Sequence, residues 1–203
     1  MHLAVFGGTG HTGQHLLEQA LRQGHTLTAL ARDPGRLTPH ESLRAVAGDV
    51  RDADVVKHVV AGSDAVLSAL GQRRWGSTVC TEGMRTILAA MDVHSVHRLV
   101  AVSGYGVADS RHRTLYVAIT RIAIRSLMQD KEGMEELIRA SDTAWTVVRP
   151  AVLTGGSHTG HYRTGIDLRL TFASKVSYAD VADFMLTQLT HDTHLRHAVA
   201  ITS

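Results

Sequence analysis

The first two dozen residues constrain this 203-residue chain more than any other stretch. His2-Leu-Ala-Val-Phe6 is an apolar run of strand length. Gly7-Gly-Thr-Gly-His-Thr-Gly13 follows without a break, and from Gln14 to Gln23 the apolar residues return with helical spacing. Leu16, Leu17, Ala20 and Leu21 then share one face. Strand, glycine turn and helix in that order is the setting in which such a turn binds a dinucleotide. Missing side chains let the backbone approach a pyrophosphate, and the free N–H groups and dipole of the helix hold its charge. Two glycine patterns overlap: Gly8, Gly10 and Gly13 fit G-x-G-x-x-G, while Gly7, Gly10 and Gly13 fit G-x-x-G-x-x-G. Thr9, His11 and Thr12 lie inside the turn and belong to the same expected cofactor site.

The next strand, His25 to Ala31, decides which dinucleotide. NAD enzymes carry an acidic residue about 20 residues past the glycines for the ribose 2′-hydroxyl, and NADP enzymes carry an arginine nearby for the 2′-phosphate. Arg32 stands at the strand end and Arg36 just beyond it. Asp33 precedes Pro34 and Gly35 and opens a turn. A guanidinium matches a phosphate in bidentate fashion, so NADP(H) is the expected cofactor.

Strands and helices alternate onward. Leu43 to Ala47 is a third strand, followed by Gly48, Asp49 and Val50; Asp49 is placed either to accept from an adenine amino group or to cap a helix over Ala53 to Val60. Asp64 to Leu70 is the fourth strand, closed by Gly71, and the sheet order would put Leu70 and Gly71 beside the nicotinamide ribose. Gln72 to Trp75 forms a loop over the reaction centre. Thr81 to Asp92 has helical period, and His97 to Val102 is the fifth strand, ended by Ser103. Such alternation gives an α/β Rossmann fold: a doubly wound, mainly parallel sheet with helices on both faces. Ligands sit outside the carboxyl ends of its strands, where all these turns lie.

Beyond residue 103 the pattern loosens. Segments 104–130 and 151–175 are expected to furnish the substrate site of one domain spanning 1–203. Lys131 to Ala140 is a helix, Trp145 to Val148 with Arg149 and Pro150 a sixth strand, and Val152 to His161 a flexible loop. Tyr162 to Phe172 suggests an edge hairpin, Tyr178 to Leu189 a helix and His197 to Ile201 a last strand.

Composition removes other classes. Net charge is +2 with histidine neutral, and basic residues are not massed, so no nucleic-acid partner is expected. A single cysteine, Cys80, excludes an internal disulfide framework. The strand at residue 2 begins too early for a cleaved signal and no apolar run reaches membrane-spanning length, so a cytoplasmic protein is expected. His191, His194 and His197 are the best histidine cluster, yet they lie in a polar stretch without a metal-site pattern, and no metal is expected.

These motifs resemble the atypical short-chain dehydrogenases of the NAD(P)H-binding, NmrA-like group, and within it the flavin reductases, also called biliverdin-IXβ reductases. The similarity runs nearly end to end. It is carried by Phe6 to Gly13, Ala31-Arg-Asp33 with Arg36-Leu37, Gly48-Asp49-Val50, Gly62 to Val66, Leu70-Gly71, Glu82-Gly83 and Asp183 to Leu186. The resemblance implies that Gly7, Gly10 and Gly13 bind the pyrophosphate, with Gly8 a passenger, and that Arg32 contacts the 2′-phosphate. It also implies a small monomer whose open pocket accepts flavins and tetrapyrroles. Two positions depart from the pattern: Ser103-Gly104 replaces Thr-Ser after the fifth strand, and Val152 replaces a histidine after the sixth.

No tyrosine stands four residues before a lysine, so the Tyr-x-x-x-Lys pair of typical short-chain dehydrogenases is missing. Lys131 matches by spacing the catalytic lysine of related isoflavone-type reductases; the alternative is an exposed residue at a helix start. Ser103 is the other catalytic candidate. Arg73, Arg74, Arg111 and Arg113 either attract an anionic acceptor or form a solvated rim. Hydride transfer is the cofactor's chemistry, so an absent Tyr-Lys pair points to conjugated acceptors such as flavins, quinones or tetrapyrroles. The expected activity is an NADPH-dependent reductase. The alternative is a non-catalytic NADP(H)-sensing regulator of NmrA-like type, and a nucleotide-sugar epimerase is weaker still.

Overall fold

Side chains of β1 (His2–Phe6) alternate between two cores and so set both faces of the sheet. Leu3 and Val5 face a layer built by α1 (His11–Arg22) and α5 (Tyr178–Thr187), where Leu16, Ala20, Val181 and Met185 are buried. Ala4 and Phe6 face the opposite layer of α2 (Ala53–Val60), α3 (Val79–Val93) and α4 (Arg125–Ala140), where Val56, Met84, Ile87, Met134 and Ile138 are buried.

The computed structural model describes residues 1–72, 76–110, 125–171 and 173–203. The remaining strands are β2 (Thr26–Ala31), β3 (Leu43–Ala47), β4 (Ala65–Ser68), β5 (Arg98–Val102), β6 (Ala144–Pro150), β7 (Val152–Thr154), β8 (Arg163–Gly165), β9 (Lys175–Ser177) and β10 (His197–Thr202). With β1, seven of them form one sheet in the order β3-β2-β1-β4-β5-β6-β10-β8. Every neighbouring pair is parallel except β10 with β8. The chain winds outward from β1 to β3 and then returns to β4, so the winding reverses between β1 and β4. That reversal opens a crevice at the carboxyl ends of the strands. The architecture is the expected single-domain Rossmann fold.

Several boundaries differ from the sequence expectation for identifiable reasons. α1 begins at His11, three residues before the apolar period starts, because Gly10 takes the extended cap conformation. It ends as expected at Gly24: Gly24 donates to Leu21 O and His25 to Ala20 O, with Gly24 at φ 79°. α2 is capped by Asp52, whose carboxylate accepts from Asp54 and Val55, and not by Asp49. α4 starts by Arg125, so Lys131 lies inside the helix rather than at its beginning. Val152–Thr154 is a strand paired in parallel with β9, not part of a flexible loop, and the expected edge hairpin is a single strand, β8, laid on β10. The loop residues Arg73, Arg74 and Trp75, together with Arg111, His112 and Arg113, lie outside the described residues.

Candidate active site

The glycine turn is built by steric need at Gly7 and Gly13 and left open at Gly10. Gly7 sits at φ 84°, and a Cβ there would come within 2.5 Å of Ala69 O, just past the end of β4. A Cβ on Gly13 would collide with Gly7 O, so α1 packs onto the turn only through a glycine. A Cβ on Gly8 would stand 2.9 Å from Leu17 Cδ1, the movable end of a side chain, and Gly8 is not among the residues that line the cleft. Gly10 differs: its φ of −83° suits any residue, and a Cβ would find only Gly7 O, at 3.4 Å. That side chain would project into the cleft. Gly10 N–H closes the turn on Gly7 O at 3.0 Å. Gly10, at the cap of α1, offers no side chain to the N–H groups of its first turn, the end of a helix that attracts an anion.

A cleft of about 880 Å³ runs along the carboxyl edge of the sheet from this turn. Gly7, Thr9, Gly10, His11, Thr12, Arg32, Arg36, Asp49, Val50, Leu70, Gly71, Ser103 and Lys131 all line it. Gly13 does not; it lies beneath, in helix packing. Arg32 and Arg36 are exposed at one end, and neither pairs with a carboxylate among the described residues. Asp33 Oδ1 accepts from Gly35 N–H, which makes it the turn residue expected. Asp49 Oδ1 is engaged by Arg51 N–H at 2.9 Å, and Arg51 in turn reaches Glu82.

At the other end the geometry overturns one alternative for Lys131. Only 6% exposed, it is not a surface residue. Its Nζ donates to Leu70 O and to Val102 O, both at 2.7 Å, so the ammonium spans the segments that leave β4 and β5. Ser103 is next along the chain from Val102, and its N–H donates to Val148 O at 2.8 Å. Its Oγ is buried without a hydrogen-bond partner among the described residues. A buried hydroxyl left unpaired is costly unless a ligand completes it. Together with the space in front of Gly10, this is the observation that the residues present fit a dinucleotide.

Sequence reasoning did not name three contributors, although two of them, Leu127 and Leu153, fall in the segments expected to furnish the substrate site. Tyr178 lines the cleft and packs on His11, ring centroids 4.9 Å apart and tilted by 33°. Its position was readable, because Ser177-x-x-Asp180 marks a helix start directly before it: Ser177 Oγ accepts from Asp180 N–H and donates to the Asp180 carboxylate. Leu127 and Leu153 also line the cleft. Leu127 was hidden because its helix begins in a segment of mixed periodicity; one turn separates it from Lys131.

Other groups singled out in the sequence do no work at the cleft. Burial pushes the Cys80 thiol above its ordinary range, while the nearby Lys131 charge pulls it the other way. His191 faces Thr187 O, His194 faces Gln188 Oε1 and His197 faces Leu195 O, so the three do not converge. Among the described residues no group of three or more His, Cys, Asp and Glu is placed to hold a metal. No helix among them is long and apolar enough to cross a membrane.

A family model described as NAD(P)H-binding matches residues 7–192. The uncharacterized protein YwnB of Bacillus subtilis is 24% identical, the similarity covering 100% of this chain and 99% of that protein. Two solved structures share the fold across all of this chain. ChuY of Escherichia coli O157:H7, an anaerobilin reductase, has a TM-score of 0.88 at 20% identity, with 97% of that chain covered. A short-chain dehydrogenase/reductase of Veillonella parvula in complex with NADP has a TM-score of 0.85 at 17% identity, with 94% covered.

Proposed function

The chain belongs to the NAD(P)H-binding family, and from that premise we propose that it is an NADPH-dependent reductase that delivers hydride to a flavin, quinone, tetrapyrrole or similar conjugated acceptor. One observation carries the reading. A single cleft has the glycine turn at its centre, exposed guanidinium groups at one end and a buried ammonium with an unpaired hydroxyl at the other.

Gly7, Thr9, Gly10, His11 and Thr12 bind the pyrophosphate against the open first turn of α1, and Gly13 holds that helix close enough to do so. Arg32 and Arg36 bind the 2′-phosphate, and Asp49 and Val50 border the adenine. Leu70 and Gly71 border the nicotinamide ribose. Lys131, by holding Leu70 O and Val102 O, keeps the floor of the nicotinamide end rigid and places positive charge beneath it. NADPH supplies the hydride when bound. Ser103 Oγ, unpartnered among the described residues, orients the carboxamide or the acceptor, and the proton that follows the electrons comes from solvent, directly or relayed through this hydroxyl. The NADP complex of the Veillonella parvula protein and the anaerobilin reductase activity of ChuY support the reading by analogy of fold.

NADPH oxidation followed at its nicotinamide absorbance tests this against a panel of flavins, quinones and biliverdin. Acceleration of at least one acceptor above the uncatalysed rate is expected. Cofactor binding without any turnover overturns it and supports the NADP(H)-sensing alternative, for which the observation is that Lys131 is already engaged by two carbonyls.

A further inference from the structure

α4 is tied to three of its neighbours by polar contacts spaced along one side. Asp130 bonds the first turn of α3, Lys131 bonds Leu70 O and Val102 O, and Glu135, about one turn further on, receives Arg149 of β6. Arg149 and Glu135 are 2% and 0% exposed. The guanidinium meets the carboxylate with two bonds, Nε to Oε1 at 3.0 Å and Nη2 to Oε2 at 2.6 Å. These contacts close a ring. Lys131 Nζ donates to Val102 O, and Ser103, next in the chain, donates its N–H to Val148 O. Arg149, next again, donates to Glu135, and about one turn of α4 leads back to Lys131.

We propose that Glu135 and Arg149 are positioning residues: the pair fixes α4 on β6 and so sets where the Lys131 ammonium stands relative to the Ser103 hydroxyl. Their role in turnover rests on the reductase reading above. Desolvating two charges offsets much of what their attraction returns, so a buried pair adds little stability that apolar side chains of like volume would not. Apolar contacts lack direction, however. Two parallel N–H···O bonds between planar groups fix distance and angle together, whereas aliphatic side chains let a helix slide and turn. The tolerance here is small, because Lys131 reaches carbonyls of two separate segments at 2.7 Å each. A shift of α4 along β6 breaks one of those bonds. It frees Leu70 or Val102 and moves the charge relative to Ser103 Oγ, which is buried without a partner among the described residues.

The test replaces the pair by apolar groups, Glu135→Leu with Arg149→Met, and follows NADPH oxidation with menadione as acceptor. The double variant is expected to unfold at the wild-type urea midpoint or above it, and to bind NADPH as tightly as wild type. Its kcat is expected to fall about ten- to hundredfold with KM little changed, the scale of a misplacement on the order of 1 Å at a reacting centre. In a Lys131→Met background the same replacement should lower kcat by less than about twofold further, because residues acting as one unit are not additive. An undiminished kcat in the double variant overturns the proposal. So do losses that multiply with that of Lys131→Met, the mark of a pair that serves the fold alone. Where the apolar pair does not fold, Arg149→Lys decides: it keeps the charge but loses the planar two-bond match, and a wild-type kcat there is equally fatal. A wild type that turns over no quinone or flavin defeats the reductase reading and this role with it, whereas an unmoved kcat in an active enzyme defeats this role alone.

Discussion

Asp130 and Thr81 hold each other twice across two helices: Thr81 N–H donates to Asp130 Oδ1 at 2.8 Å, and Thr81 Oγ1 donates to Asp130 O at 2.7 Å. The other carboxylate oxygen accepts from Cys80 N–H at 3.0 Å. The first turn of α3 is thus capped by a residue of α4, since Thr78 at its own cap position makes no side-chain bond. The pairing needs close approach, and a Cβ on Gly133 would meet Thr81 Oγ1 at 2.7 Å. Asp130→Ala removes a cap and is expected to cost about 1–2 kcal/mol, read as a lower urea midpoint at unchanged slope. A loss within error would mean that the contact carries no stability.

Gly10 and Gly13 belong to one motif but differ in what they forbid. Gly13→Ala must displace the Gly7 carbonyl, so the turn and the seat of α1 distort and the melting temperature falls by several degrees, as expected for about 1–3 kcal/mol of overpacking. Gly10→Ala has unstrained backbone and room for its methyl, so it should melt with the wild type while NADPH affinity drops at least tenfold. Calorimetric titration beside thermal melting separates the two, and an unaltered affinity in Gly10→Ala would remove the turn from the cofactor site.

Arg32 is exposed at the cleft end and unengaged by carboxylates among the described residues, so its removal isolates recognition from folding. A charged hydrogen bond is worth about 1.5–3 kcal/mol, so Arg32→Ala should weaken NADPH about ten- to hundredfold and leave NADH nearly unchanged. Wild-type affinity for NADH equal to that for NADPH would reverse the cofactor assignment.

The amino-terminal half was legible because its signals are local. Arg32 directly follows one apolar run of strand length and Gly48-Asp49 the next, so sequence adjacency carries the site. Lys131 was legible only by its spacing to Trp145. Its burial depends on carbonyls contributed by residues 70 and 102, and no periodicity in its own helix reports them. Asp130 was silent for the same reason, since its cap serves another helix. Leu127 and Tyr178 reach the cleft because α4 and α5 pack on opposite faces of the sheet and meet its edge, a relationship of topology rather than of pattern.

Lys131→Met keeps the length of the side chain and removes its donors. Leu70 O and Val102 O then lose buried partners, at about 1–3 kcal/mol for each group left unsatisfied. Stability should fall accordingly in a urea titration, and kcat for the acceptor should fall more than KM rises, since the residue holds the floor of the nicotinamide end. A variant with native stability would show that the ammonium is not bonded as described.

Asp180 gives the protein a pH-dependent clasp on the loop that precedes β8. Burial by itself would raise its carboxyl, but donation from Thr159 N–H, Ser177 Oγ–H, Gly160 N–H and Thr159 Oγ–H outweighs that and holds it below its ordinary value. A carboxyl lowered by folding stabilises the native state fully above its unfolded pKa and loses that contribution as pH falls through the folded value. Asp180→Asn keeps an acceptor oxygen but cannot be charged, so it should be less stable than wild type by a constant margin from neutral pH down to about pH 5. Below about pH 4 the margin should narrow as the wild-type carboxyl takes up its proton. Urea midpoints of the two proteins across that range measure it. A margin that widened on acidification would mean that the carboxylate is destabilising where it stands, and that the loop is held by the neutral bonds alone.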